Sequence, residues 1–133
     1  MRATILDMKR TLFLFLVLTM AASTTMAYDD EASLEKTARD LLSNFVAGHF
    51  EAATKEFDEK MMAALPPPKL AEVAKQLEPQ LGKFKQVKEA KHGTVQGYKV
   101  VTLLSEYENG LVNVQVTFDP DGKVAGLYFR PAE

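Results

Sequence analysis

The spacing of apolar residues changes at Gly82, and this change constrains the fold more than any other feature of the sequence. Before Gly82, apolar side chains recur three and four residues apart, which is typical of amphipathic helices. After Gly82, the clearest run alternates apolar and polar residues from Val112 to Phe118, as a half-buried strand does. Helices followed by strands predict an α+β fold with three N-terminal helices packed on a curved antiparallel sheet of about four strands.

Three helices are predicted in the first part of the chain. The first has apolar positions over Leu34–Val46, acidic residues at its start, and Gly48 to end it. The second covers Phe50–Leu65, and the third covers Pro68–Gly82. The proline run 66–68 separates these two helices, because proline lacks the N–H that a helical hydrogen bond requires.

Four strands are predicted after the helices. The second has apolar residues on both faces, as a central strand does, and the first is weakly patterned and broken at His92-Gly93. Asn109-Gly110 favours a type I′ turn between the second and third strands. Asp119-Pro120-Asp121-Gly122 then favours a turn that returns the chain antiparallel. The predicted strands are Phe84–Val95, Tyr98–Tyr107, Val112–Phe118 and Val124–Phe129.

The first 27 residues have the pattern of a secretory signal peptide. Lys9-Arg10 precedes an apolar run from Leu12 to Leu18, and small residues lead to cleavage after Ala27, with Ala22 as the second choice. The apolar run is far shorter than the roughly 20 residues that cross a bilayer. We therefore expect an exported protein, periplasmic or extracellular, without a membrane span after cleavage and with one domain over residues 28–133.

Composition argues against a nucleic-acid partner and leaves most other classes of partner open. The chain has 133 residues, 47% of them hydrophobic, no cysteine, and a formal net charge of −2. This charge balance lacks the excess of lysine and arginine that marks nucleic-acid-binding proteins, so we expect no nucleic-acid partner. The apolar content is that of a folded domain rather than a disordered chain, and its core has to stabilise it without disulfides.

Seven short segments occur in an order that resembles a known family. They are Phe45–Ala53, Phe57–Met61, Ala64–Pro66, Leu81–Phe84, Tyr98–Val100, Val114–Asp119 and Gly122–Leu127. Together they resemble the bacterial family called domain of unknown function 3887. The resemblance implies a cone-shaped fold of the nuclear-transport-factor-2-like superfamily, a secreted or cell-envelope setting, and relatives that often sit in front of hydrolase domains.

The resemblance brings no established catalytic residues. Other branches of the superfamily include isomerases and dehydratases, as well as noncatalytic members that bind ligands or dimerise, so the fold alone does not choose a function. The only histidines, His49 and His92, show no pairing with a carboxylate in the sequence, and we expect both to be structural or solvated. Two distant histidines without cysteine do not supply the three or four ligands of a zinc site, so we expect neither metal nor cofactor.

Six aromatic residues are the candidate pocket or interface residues. Tyrosines that point into the cone would offer hydroxyl groups to a small ligand beside apolar phenylalanine walls, and packing in a core or interface is the alternative. These residues are Phe45, Phe50, Phe57, Tyr98, Tyr107 and Tyr128.

The two apolar faces of the strand Tyr98–Tyr107 raise the question of what covers the second face. Three helices cover one face, so the other meets a second subunit or encloses a cavity. The sequence leaves open whether the outward set is Val101, Leu103 and Tyr107 or Tyr98, Val100 and Leu104.

We expect a homodimer through the sheet face, with a small apolar ligand or an envelope protein as other partners. The predicted function is an exported noncatalytic module that binds a small ligand or another protein. The alternative is a small isomerase or lyase with an acid/base site inside the cone.

Overall fold

The computed structural model describes residues 31–132, where helices precede strands as the sequence predicts. The helices are α1 over residues 31–47, α2 over Phe50–Ala53, α3 over Glu59–Ala64 and α4 over Pro67–Leu81. The strands are β1 over Phe84–Val95, β2 over Tyr98–Tyr107, β3 over Gly110–Phe118 and β4 over Val124–Pro131. Within the described residues they form one antiparallel sheet in the order β1-β2-β3-β4.

This arrangement confirms the α+β fold class and is consistent with a nuclear-transport-factor-2-like fold. The predicted signal peptide lies outside the described residues. No helix within residues 31–132 is long and apolar enough to cross a membrane.

The register of the sheet shows which residues of β2 face the helices. Leu103 pairs with Val114, and directly opposed residues of an antiparallel pair point to the same face of the sheet. Both are fully buried in the core, so they define the core face of the sheet. Leu104 pairs with Asn113 on the opposite face, which we call the outer face. The outer face of β2 therefore consists of Tyr98, Val100, Thr102, Leu104 and Glu106.

The third strand confirms the predicted alternation of buried and less buried residues. Its core-facing side chains are at most 4% exposed, and they are Val112, Val114, Val116 and Phe118. Ala38, Leu41, Leu42 and Phe45 of α1 and Leu70 of α4 belong to the same core.

The prediction of one continuous second helix is wrong, because the chain divides it into α2 and α3. The segment between them pairs with the start of β4: the Asp58 N–H donates to Val124 O at 2.9 Å, and the Val124 N–H donates to Glu56 O at 2.7 Å. The Asp58 carboxylate then accepts a hydrogen bond from the Met61 N–H at 2.7 Å and caps α3. Backbone groups that a helix would have used are thus bonded to a strand.

The predicted break in the first strand at His92-Gly93 is also wrong. These two residues pair in register with Val100-Val101, and β1 continues through them. The irregularities fall earlier, within Phe84–Glu89, where the register shifts twice. Each shift moves the following side chains to the other face, which explains the weak pattern of the sequence.

The hairpin between β2 and β3 is confirmed, but its turn is not type I′. Tyr107 pairs with Gly110, so Glu108 and Asn109 are the central residues, and neither has a positive φ. The Asn109 N–H donates to Leu81 O at the end of α4, and the Glu108 N–H donates to Lys83 O between α4 and β1, each at 2.9 Å. These bonds place the turn one residue earlier than predicted.

The other two turns use positive φ values. Gln96 and Gly97 have φ values of 52° and 86° and form the turn between β1 and β2. The predicted turn before β4 is confirmed, because the Gly122 N–H donates to Asp119 O at 2.9 Å and Gly122 has a φ of 83°. The Asp119 carboxylate also accepts the N–H groups of Asp121 and Lys123.

Candidate ligand pocket

A pocket of about 490 Å³ lies between α4 and the segment that joins α1 to α2. Residues 45–48 and Phe50 form one side, and Ala71, Ala74 and Leu77 of α4 form the opposite side. Phe84 and Tyr107 contribute the wall from the sheet. The volume and the apolar lining suit a small organic molecule.

Small side chains leave this space empty. Ala71 and Ala74 lie three residues apart on α4 and therefore share a face of the helix. Across the pocket, Ala47 and Gly48 end α1, and a Cβ at Gly48 would meet no atom within 4 Å. A bulky side chain at Ala71 or Ala74 would extend into the pocket.

Aromatic contacts hold the walls in place. Phe45 packs between Phe50 and Phe129, with ring centroids 6.1 Å and 5.1 Å away. On the sheet side, the rings of Phe84 and Tyr107 meet edge to face, 5.3 Å apart. Ring pairs with this geometry add to the energy of apolar burial, so these walls are preorganised.

The hydroxyl group of Tyr107 is the one unsatisfied buried polar side-chain atom in the described part of the chain. The residue is 7% exposed, and no described group lies within hydrogen-bond distance of its hydroxyl. Burial raises the pKa of Tyr107, so its hydroxyl stays a neutral donor at physiological pH. A buried donor without an acceptor costs free energy.

Charged residues stand only at the mouth of the pocket. Lys75, Glu78 and Lys83 belong to the lining and are exposed. The Lys83 backbone N–H donates to the Glu108 carboxylate at 2.9 Å, which places a second acid beside this edge. Among the described residues, no group of three or more metal-ligating side chains is close enough to hold a metal ion.

The six predicted aromatic residues fall in three places. Phe45, Phe50 and Tyr107 line the pocket. Phe57 is 7% exposed and belongs to the core but not to the pocket lining. Tyr98 and Tyr128 lie on the outer face and are 46% and 47% exposed.

The outer face carries an aromatic surface of its own around Tyr128. A Cβ at Gly126 would lie 3.1 Å from Tyr128 Cε2, so the absence of a side chain there lets the ring lie across the sheet. The Arg130 guanidinium carbon is 5.4 Å from the centre of the same ring, within range of a cation–π contact.

One histidine does meet a carboxylate, which the sequence did not indicate. His92 Nε2 of β1 lies 2.8 Å from Glu35 Oε1 of α1, and Arg39 Nε lies 2.9 Å from Glu35 Oε2. The hydrogen bond from His92, followed by that from Arg39, lowers the pKa of Glu35. Neither His92 nor Glu35 lines the pocket, and the pair connects α1 to the edge of the sheet.

The other histidine stands at the corner between α1 and α2. His49 is the residue before α2, and its side chain makes no capping hydrogen bond.

Sequence reasoning did not identify Ala71, Ala74 or Phe84 as lining residues. The sequence places Phe84 only in the weakly patterned first strand. The sequence does show small alanine residues among the apolar residues of α4. Small residues alone do not distinguish the wall of a pocket from close packing.

Comparison with known proteins gives a family match. The model of a family described as "Protein of unknown function (DUF3887)" matches residues 38–127, which include all of the pocket lining. No solved structure gave a significant match to the chain.

A curated protein is also similar to the chain. Esterase EstD of Thermotoga maritima is 26% identical over 121 residues, which make up 91% of this chain and 28% of the esterase. The chain therefore spans between a quarter and a third of the length of that relative.

Proposed function

The chain belongs to the DUF3887 family of proteins of unknown function, and we propose that it is a noncatalytic module that binds a small apolar ligand. The observation that carries this proposal is the pocket of about 490 Å³ between α4 and the end of α1. Alanine, valine, leucine and phenylalanine side chains form most of its lining, so transfer of an apolar molecule from water would drive binding.

The pair of His92 and Glu35 favours the alternative of an acid/base enzyme. Its distance of 2.8 Å is that of a hydrogen bond, and a histidine beside a carboxylate is a common general base. The pair lies outside the pocket lining, however, and Arg39 already occupies the second carboxylate oxygen. We therefore assign the pair to the attachment of α1 to β1.

The similarity to an esterase suggests a setting for the module. The similar region makes up 28% of that esterase, and the rest of the relative has no counterpart in this alignment. We propose a binding role beside such an enzyme rather than ester hydrolysis by this domain. Export follows from the signal-peptide pattern of residues 1–27 and is part of the proposal.

Self-association through the outer face stays a prediction. The exposed rings of Tyr98 and Tyr128 and the partly buried Leu104 support it, because an apolar surface on a sheet face is stabilised by a covering partner.

A fluorescent probe can test binding to the pocket. N-phenyl-1-naphthylamine is neutral and apolar, and its emission rises when it leaves water. We expect saturable binding to residues 28–133, and at least a tenfold loss of affinity in Ala74→Trp and in Ala71→Phe, because both variants fill the pocket. Ala52→Trp is the matched control, since Ala52 is an exposed helical residue outside the lining.

Two results would contradict the proposal. One is the absence of saturable binding by the folded wild type. The other is unchanged affinity in Ala74→Trp and Ala71→Phe variants whose circular dichroism and melting temperature show that they are folded.

A further inference from the structure

We infer that the ligand of this pocket is an amphiphile with one anionic end, such as a carboxylate on an alkyl chain. Its chain occupies the apolar interior, and its anionic group pairs with Lys75 and Lys83 at the mouth. This inference rests on the proposed function, because it names the ligand class of the same pocket. It combines an apolar interior with two lining lysines whose ammonium groups have no carboxylate partner among the described residues.

The face of α4 that meets the pocket is incompletely covered by the protein. Leu70 is the one buried residue of this helix. Val73, Ala74 and Leu77 pack against the core, but each stays partly exposed. Ala74 and Leu77 also line the pocket, so an alkyl chain there would complete the burial of their side chains. The apolar part of the ligand therefore lies against α4.

The charges of the lining favour an anion. Lys75 and Lys83 are opposed by one acid of the lining, Glu78, and two ammonium groups against one carboxylate leave one excess positive charge. All three residues are exposed, and none has an ion-pair partner within residues 31–132. Glu108 lies beside this edge but outside the lining, and its carboxylate already accepts the Lys83 backbone N–H at 2.9 Å.

The position of the two lysines determines how the ligand is oriented. An anionic group placed among the phenylalanine side chains of the interior would lose its hydration without gaining a paired cation, which is costly. At the mouth the same group keeps contact with water and is attracted by two ammonium groups, whose flexible stems let them reach it. The alkyl chain therefore points inward and the anionic group outward.

The test measures how well three competitors displace N-phenyl-1-naphthylamine from the protein. Decanoate, 1-decanol and decyltrimethylammonium share a ten-carbon chain and differ in the charge of the end group. The proteins are wild type, Lys75→Met, Lys83→Met, Glu78→Gln and Lys69→Met. Methionine keeps an unbranched side chain, so it removes the charge with little loss of apolar contact. Lys69→Met is the matched control, because Lys69 is an exposed lysine of α4 outside the lining.

We expect Lys75→Met and Lys83→Met each to weaken the binding of decanoate about threefold, the usual worth of one exposed ion pair, and to leave 1-decanol unchanged. Glu78→Gln should strengthen the binding of decanoate, because it removes the opposing charge of the lining. Lys69→Met should change none of the three competitors. Added salt should weaken the binding of decanoate to the wild type but not that of 1-decanol.

Three outcomes would overturn the inference while leaving the pocket proposal intact. In the first, the dye binds but decanoate does not displace it. In the second, the wild type binds decyltrimethylammonium more tightly than decanoate. In the third, the affinity for decanoate is unchanged in Lys75→Met and Lys83→Met, or falls equally in Lys69→Met, which would show only an effect of net charge. If the dye does not bind the folded wild type saturably, the inference and the proposed function both fail.

Discussion

Truncation of Phe57 tests whether the segment between α2 and α3 is part of the core. The side chain is 7% exposed and lies in the hydrophobic cluster, next to the backbone pairing with Val124. Burial of a phenylalanine removes roughly 150–250 Å² from water, worth about 4–6 kcal/mol at about 25 cal/mol per Å². Alanine keeps the Cβ, so Phe57→Ala should cost about 3–5 kcal/mol.

This loss is large compared with the stability of a domain of this size, which is typically about 5–15 kcal/mol. Urea titration followed by circular dichroism measures it as a shift of the midpoint with an unchanged slope. Phe50→Ala is the comparison variant, because Phe50 is only partly buried and its other side opens into the pocket. It should cost about 1–2 kcal/mol.

A loss below about 1 kcal/mol in Phe57→Ala would refute the assignment of this residue to the core. Equal losses in the two variants would also count against it, since the structure buries Phe57 and leaves Phe50 partly exposed.

Three further predictions concern a helix cap, a pH effect and the outer face. Asp58→Ala should destabilise the domain by about 1 kcal/mol in urea titration, and Asp58→Asn, which keeps an acceptor, should cost less. The lowered pKa of Glu35 means that its stabilising effect is complete above the pKa of the unfolded chain and is lost as pH falls through the folded pKa. The wild type should therefore lose more stability than Glu35→Gln when titrated from pH 6 into the acid range, and identical profiles would contradict this. If the protein dimerises through the outer face, sedimentation should show a dimer that Leu104→Lys converts to a folded monomer. Leu103→Lys, on the core face, should unfold the domain. A wild type that stays monomeric at high concentration would contradict dimerisation.

The sequence predicted those parts of the fold that depend on local patterns. The alternation in β3 and the glycine at the end of α1 need only neighbouring residues to be recognised, and both are confirmed. The continuous second helix failed because its interruption depends on Val124, a residue far along the chain whose backbone competes for the same hydrogen bonds. Apolar spacing contains no information about such a competitor.

The pocket depended even more on distant residues. Phe45, Phe50 and Tyr107 are among the predicted candidates, but Phe84 is not, and the empty volume comes from small residues on α1 and α4 that no pattern distinguishes from tight packing. The pairing of His92 with Glu35 joins residues that are 57 positions apart. Sequence spacing cannot predict a pair at that separation, because the contact depends on how the helix packs against the strand.

The same contacts explain the unexpected geometry of the β2–β3 turn and the position of one wall of the pocket. Carbonyl groups at the end of α4 have no helical partner. The Asn109 N–H donates to Leu81 O, and the Asn109 side chain donates to Gln80 O at 3.2 Å. The Glu108 N–H donates to Lys83 O in the segment between α4 and β1. Gly82 allows the close approach, since a Cβ there would lie 2.7 Å from Glu108 Oε1. These bonds hold the end of β2 against the end of α4. Tyr107 immediately precedes the turn and lines the pocket. The contacts that give the turn a geometry other than type I′ therefore also hold Tyr107 in the pocket wall.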